Sequence, residues 1–209
     1  MRILLLGANG HTGSQVIDLA LGRFHEVTAF VRSPQKITRP HPRLKVVRGD
    51  PRAVEQLAEA VPGHDAVISA LGVRPPLAFR PHTLVQDCAA STIEAMQRTG
   101  VNRLVLVSAA VLFPEHGAFF TFFRWLLTYI RRDLGAAEEI VRAASLDWTI
   151  ARPPRLTAGS EERYRTERDA LPSAGYSLSF RALAAFLLDA VERHNYVRET
   201  VGLASAIAS

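Results

Sequence analysis

The chain has 209 residues, 48% hydrophobic and 22% charged, the balance of a globular protein long enough for one sizeable core. A single cysteine excludes a disulfide framework within the chain, and no internal repeat, low-complexity tract or membrane-length apolar run is present. The net charge of +5 does not point to nucleic acid, because the arginines that dominate it are scattered, with no run longer than Arg131-Arg132.

The first element is the most informative. Ile3 to Leu6 form a short continuous apolar run, the pattern of a parallel strand buried on both faces. Glycines follow at G-x-x-G-x-x-G (Gly7, Gly10, Gly13), and then an amphipathic segment with Val16, Ile17, Leu19 and Ala20 on its apolar side. Strand, tight turn and helix in that order suit a nucleotide, because a helix N-terminus offers free N–H groups to a pyrophosphate. The spacing differs by one residue from the G-x-G-x-x-G dinucleotide fingerprint. The apolar start is too short for a secretion leader and lacks a cleavage site. With the lone Cys88 in an apolar helical pattern, a cytoplasmic location is expected.

Strand and helix then alternate. Strands are expected over residues 25–31, 44–48, 65–70, 103–107 and 147–151. Helices are expected over 51–60, with Pro51 in the first turn, over 83–98, closed by Gly100, and over 118–144. The last part holds an edge hairpin at 161–167, a helix over 179–193 and a final strand at 197–203. This predicts a single Rossmann-like, doubly wound α/β domain with helices on both faces of a mostly parallel sheet. The expected strand order is 3-2-1-4-5-6 plus a C-terminal strand. Residues up to about 150 form the cofactor part and the remainder a small substrate side.

Ligands of such a sheet lie beyond the carboxyl ends of its strands. That rule selects Gly7, Gly10 and Gly13 after strand one, Arg32 after strand two, Asp50 after strand three and Leu71-Gly72 after strand four. It adds Ser108 after strand five and Pro153, Pro154 and Arg155 after strand six. A carboxylate about 20 residues past the glycines would bind an unphosphorylated ribose. Arg32 stands there instead, with Ser33 next and Lys36 beyond, so a 2′-phosphate and hence NADP(H) is expected. Asp50 can accept from an adenine amino group or cap the helix that follows. His11, His64 and His116 show no metal-ligand spacing, and no metal is expected.

Gly7-Ala-Asn-Gly-His-Thr-Gly13, Val31-Arg32, Gly49-Asp50, Ala70-Leu-Gly72, Val107-Ser108-Ala109 and Trp148-Thr-Ile-Ala-Arg-Pro-Pro154 occur in that order. On these motifs the chain resembles the atypical short-chain dehydrogenase/reductases of the NmrA-like NAD(P)-binding group, and within it the biliverdin-IXβ/flavin reductases. The resemblance implies NADPH binding and hydride transfer to flavins or linear tetrapyrroles. It implies that Arg32 meets the 2′-phosphate and Asp50 the adenine, while Ser108, Pro153 and Pro154 sit by the nicotinamide. Asn9, His11, Thr12, Pro51 and Ala70 complete the expected cofactor contacts. Ser108 is the expected catalytic residue, and Arg74, Phe113 and Arg155 are expected to meet the substrate.

The departures from that group are informative. A Tyr-x-x-x-Lys pair, in which lysine lowers the tyrosine pKa, is missing: Tyr129 is the tyrosine nearest the expected place, and its fourth neighbour is Asp133. An acceptor that takes its proton from solvent, a flavin or quinone, therefore fits better than a carbonyl needing a tyrosine proton. Substrate-side histidines of the group are matched by Leu134 and Arg155, and a late-helix lysine by Phe180 or Arg181, which disfavours a tetrapyrrole. The aromatic stretch from Leu112 to Ile130 reads as sheet packing, a pocket wall or lid, or a homodimer or membrane-surface face. Monomer and homodimer both stay open. An NADP(H)-binding redox sensor without catalysis is the alternative function.

Overall fold

The apolar run at the start of the chain becomes β1 (Arg2–Leu6), whose Ile3, Leu4, Leu5 and Leu6 have no exposure to solvent. The computed structural model describes residues 1–73, 76–113 and 127–206. After β1 come α1 (His11–Gly22), β2 (Glu26–Val31), β3 (Leu44–Arg48), α2 (Val54–Ala60), β4 (Ala66–Ser69) and α3 (Leu84–Thr99). Then follow β5 (Arg103–Val107), α4 (Thr128–Ala143), β6 (Asp147–Arg152), β7 (Arg155–Thr157), β8 (Tyr164–Arg168), β9 (Ser177–Ser179), α5 (Phe180–Glu192) and β10 (Glu199–Ser205).

The main sheet has the order β3-β2-β1-β4-β5-β6-β10-β8. Its first six strands reproduce the expected 3-2-1-4-5-6, and the C-terminal strand β10 extends it in parallel with β6. The stretch read as an edge hairpin is instead one edge strand, β8, antiparallel to β10. A second, two-stranded parallel sheet pairs β7 with β9. Strands of three residues carry no usable alternation, so this pair had no sequence signal. The helix expected from residue 51 starts three residues later. Pro51 lies in a turn closed by the Ala53 N–H on the Asp50 carbonyl at 2.9 Å, and Ala53, not Asp50, is the N-cap. Most of the aromatic stretch, residues 114–126, lies outside the described residues, as does Arg74.

Helices cover both faces because both faces of the central strands are apolar. On one face α1 and α5 pack Val16, Ile17, Ala20, Leu183 and Leu187 against Ile3 and Leu5. On the other, α2, α3 and α4 bring Leu57, Met96, Leu134 and Val141 over Leu4, Leu6 and Leu104. At the amino ends of the strands, buried Arg103 holds three segments together. It donates to the carbonyls of Asp147 at 2.8 Å, Ala190 at 2.7 Å and Asn195 at 2.8 Å. A cation is favoured there because Ala190 lies in the last turn of α5.

Cys88 is 1% exposed on α3, and burial, aided by the Asp50 charge, pushes its thiol up to about 12. The thiolate is the reactive form, so this thiol is inert in the native state. A thiol reagent such as dithionitrobenzoate is expected to leave the native protein unlabelled and to titrate one thiol in denaturant; labelling of the native protein would contradict this packing.

Candidate functional site

Three glycines shape the turn between β1 and α1. Gly7 has φ +81°, and a Cβ there would lie 2.4 Å from the Ala70 carbonyl oxygen. A Cβ on Gly13 would lie 2.3 Å from the Gly7 carbonyl oxygen, so only glycine lets α1 start this close to the turn. Gly10 is the N-cap, with no side-chain cap, and the first turn of α1 carries no acid. The leading N–H groups of α1 are thus left for an anionic ligand, which is the arrangement a pyrophosphate requires. Asn9 donates to the Ser33 carbonyl at 3.1 Å, tying the turn to the end of β2.

Two cavities flank this turn. The larger, about 670 Å³, is lined by Asn9, Gly10, His11, Lys36, Arg39 and Phe180 among others. The smaller, about 220 Å³, is lined by Thr12, Ala70, Leu71, Gly72, Ser108 and further residues that include Leu134 and Leu156. Asn9, Gly10, His11, Thr12, Lys36, Ala70, Leu71, Gly72 and Ser108, all named from sequence motifs, thus line these two cavities. Arg32 is exposed at the end of β2, makes no hydrogen bond or ion pair among the described residues, and adds its charge to the field at Asp50. Asp50 is engaged with its neighbour: Arg52 Nη2 meets its Oδ2 at 2.7 Å, and Arg52 Nε and N–H meet its Oδ1. The Arg52 side-chain bonds hold the Asp50 carboxyl below the usual carboxylate range.

Ser108 is 6% exposed and does not have a free hydroxyl. Its Oγ donates to Glu138 Oε1 at 2.5 Å, and Glu138 is itself 1% exposed on α4. Arg152 at the end of β6 forks onto the same carboxylate, Nε to Oε1 at 2.9 Å and Nη2 to Oε2 at 2.6 Å. Arg142 Nη2 adds a bond at 2.6 Å and also donates to Thr200 on β10. Burial alone would raise the Glu138 pKa; the bonds from Arg152 and Ser108 and the two guanidinium charges outweigh it and bring it below its ordinary value. With its proton committed, Ser108 presents lone pairs to the cavity and acts there as a hydrogen-bond acceptor.

A family model described as NAD(P)H-binding matches residues 7–194. The chain belongs to this NAD(P)H-binding family. It is 26% identical to the UPF0659 protein of Saccharomyces cerevisiae, over 97% of this chain and 92% of that one. It is 29% identical to an uncharacterised chloroplastic protein of Arabidopsis thaliana, over 74% of this chain and 59% of that protein, so it spans about three fifths of that relative. Among solved structures, a Rossmann-fold NAD(P)-binding family protein from Shigella flexneri is 25% identical, covers 100% of this chain and 97% of its own, and superposes with a TM-score of 0.77. Among the described residues no helix is long and apolar enough to cross a membrane, and no group of side chains is placed to hold a metal ion.

Several of the residues expected at the site do not line the two cavities. Phe113 is 3% exposed, covered by the Arg152 guanidinium 4.6 Å from its ring centre, and lines neither cavity. Arg155 is exposed on β7, where its neighbour Leu156 faces the small cavity. The Pro153 carbonyl accepts from the Ala110 N–H at 2.9 Å, and neither Pro153 nor Pro154 lines the two cavities. The cavity takes Ile130, Asp133 and Leu134 from α4, and not Tyr129. Three buried polar residues were missed from the sequence: Glu138, Asp133 and His82. A signal for the first was available, since Glu138 lies among Leu134, Ala137 and Val141 on the apolar stripe of α4. A charge on such a stripe requires a buried partner.

Glu138→Gln leaves two guanidinium groups without their counter-charge and is expected to lower the unfolding free energy by about 2–4 kcal/mol. The folded carboxyl titrates below the unfolded one, so its stabilisation is complete above the unfolded pKa and is lost as pH falls through the folded pKa. Urea unfolding as a function of pH should show the wild type losing this increment between about pH 5 and pH 2, with a shallower decline in Glu138→Gln. Equal slopes would show that Glu138 is not the titrating group.

Proposed function

We propose that the chain is an NADPH-dependent reductase that reduces a planar acceptor, a flavin or a quinone. The observation that carries this is the 220 Å³ cavity where Thr12, beside the glycine turn, and Ser108, at the end of β5, line one space. Its walls are largely apolar (Leu71, Val73, Val107, Leu134, Leu156), which suits a flat ring and excludes water from the reacting face. When bound, NADPH supplies the hydride, the chemistry of the cofactor rather than of the protein.

The protein supplies position. The N–H groups leading into α1, at His11, Thr12 and Gly13, would hold the pyrophosphate, with Gly7 and Gly10 allowing close approach. The Arg32 guanidinium, without a partner among the described residues, and the exposed Lys36 would hold the 2′-phosphate, with Ser33 between them in sequence. Asp50 and Pro51 would flank the adenine, and Ala70, Leu71 and Gly72 the ribose side. Ser108 would accept a hydrogen bond from an amide or hydroxyl in the cavity, with Pro153 and Pro154 behind it. Arg74 and Arg155 would meet a polar or anionic end of the acceptor. Residues up to about 150 thus serve the cofactor and the remainder the acceptor. The resemblance of the sequence motifs to those of biliverdin-IXβ/flavin reductases supports the same acceptor class.

Calorimetric titration is expected to show tighter binding of NADPH than of NADH, and Arg32→Glu should reduce that preference about tenfold to a hundredfold. NADPH absorbance followed with a panel of flavins and quinones is expected to fall with at least one of them. Ser108→Ala should slow this turnover with little change in NADPH affinity. Tight NADPH binding without turnover on any acceptor would overturn the reductase and favour a regulatory NADP(H)-binding protein.

A further inference from the structure

The small cavity holds a pair of titratable groups that the cofactor does not use. His82 and Asp133 are the titratable side chains among the described residues that line it, and they are 4% and 0% exposed. The His82 Nδ1 lies 2.7 Å from the Arg80 carbonyl oxygen, a contact only a protonated Nδ1 can make. Nε2 is therefore the ring nitrogen left without a committed proton. It is buried, has no hydrogen-bond partner among the described residues, and lies 3.3 Å from Asp133 Oδ2. Asp133 cannot swing away, because its Oδ2 accepts the Val85 N–H at 3.0 Å and its Oδ1 the Gln86 N–H at 2.9 Å, closing the N-terminus of α3. Around the imidazole, α4 contributes the charge of Asp133, while α1 offers Thr12, β5 leads to Ser108, α3 offers Val85 and β7 offers Leu156, all uncharged.

With Nδ1 committed, a neutral ring would set an Nε2 lone pair against a carboxylate oxygen, whereas a proton on Nε2 converts the contact into a charge-assisted hydrogen bond. Ser108 cannot supply a proton to the same space, since its own goes to Glu138. We propose that His82, positioned by Arg80 and Asp133, is the proton donor to the acceptor reduced in this cavity. This rests on the reductase reading above. Two electrons and one hydrogen reach the acceptor as hydride from NADPH, leaving an anion on a ring oxygen or nitrogen. The Nε2–H bond of His82 breaks, its electron pair stays on Nε2, and a new O–H or N–H bond forms on the acceptor. The neutral ring then regains a proton from water, so that acceptor, NADPH and one proton become reduced acceptor and NADP+.

The test uses the full chain and His82→Asn, whose amide can keep the bond to Arg80 while removing Nε2. The wild type is expected to lose turnover as pH rises and to show a solvent deuterium isotope effect. His82→Asn should turn over about 100-fold more slowly, with neither the pH limb nor the isotope effect and with unchanged NADPH affinity. A variant that keeps the wild-type rate within about threefold, on the same pH profile, overturns the role of His82 and leaves the reductase standing. Failure of the wild type to reduce any flavin or quinone overturns both. A readout independent of turnover comes from nitrogen-15 NMR of the imidazole without cofactor. Nδ1 should be protonated throughout and Nε2 should take up the proton on acidification; a bare Nδ1 with a protonated Nε2 in the neutral ring overturns the proposal.

Discussion

The buried carboxylate of Glu138 is the constraint on which the site depends. An ionised group with 1% exposure is tolerable only with its oxygens satisfied, and here a serine hydroxyl and two guanidinium groups satisfy them. Those partners come from the end of β5, from α4 itself and from the end of β6, while Arg142 reaches on to β10. The carboxyl ends of adjacent strands are thus locked to one helix by one charge. Arg152 in turn covers Phe113, which fixes the start of the segment after β5. The chemical consequence falls on Ser108: a hydroxyl that must donate to Glu138 is restricted to accepting on its cavity side.

Asp133 does for α3 what Glu138 does for β5. Both are buried carboxylates on α4, and each takes hydrogen from a different neighbouring element. A negative group at a helix N-terminus is favoured by the unpaired N–H groups there. This explains why the fourth neighbour of Tyr129 is an acid rather than a lysine. The position is occupied by the tie to α3, and a lysine in its place would set a cation against the same N–H groups. In the proposed chemistry, His82, which the loop before α3 places on that acid, delivers the proton in place of a Tyr-x-x-x-Lys pair.

Where sequence patterns carried the architecture, they did so through long apolar runs. β1, β4 and β5 are buried along nearly their whole length, so their hydrophobicity is continuous and their order follows from right-handed crossovers. The glycine turn was equally legible, because its spacing follows from contacts a Cβ would break. What escaped was short or non-local. The β7–β9 pair depends on residues more than 20 positions apart with three residues in each strand. Asp50 looked like a helix cap because Pro51 follows it, but its carboxylate is taken by Arg52 and the helix begins beyond. The Ser108–Glu138 and His82–Asp133 contacts join positions distant in the chain; the apolar stripe around Glu138 shows that it needs a buried partner, but no local pattern names which one.

In the proposed reductase the two cavities would separate binding from chemistry. Groups suited to anions surround the larger one: the amide-rich start of α1, Lys36, and an Arg39 that is shared with Asp18. His82 and Asp133, the groups of the proposed proton transfer, line the smaller one, whose walls are largely apolar. Between them stands the Gly7–Gly13 turn, whose Gly7 carbonyl lies so close to Gly13 that a Cβ there would clash with it. A ligand spanning both would therefore have its charged end held by backbone donors that need no reorganisation, while its reactive end lies where electrostatic interactions are strengthened by the absence of water. Binding energy gathered at the phosphates is then available to hold the distant ring against the Ser108 wall, the way remote contacts contribute to reactivity at a centre they do not touch.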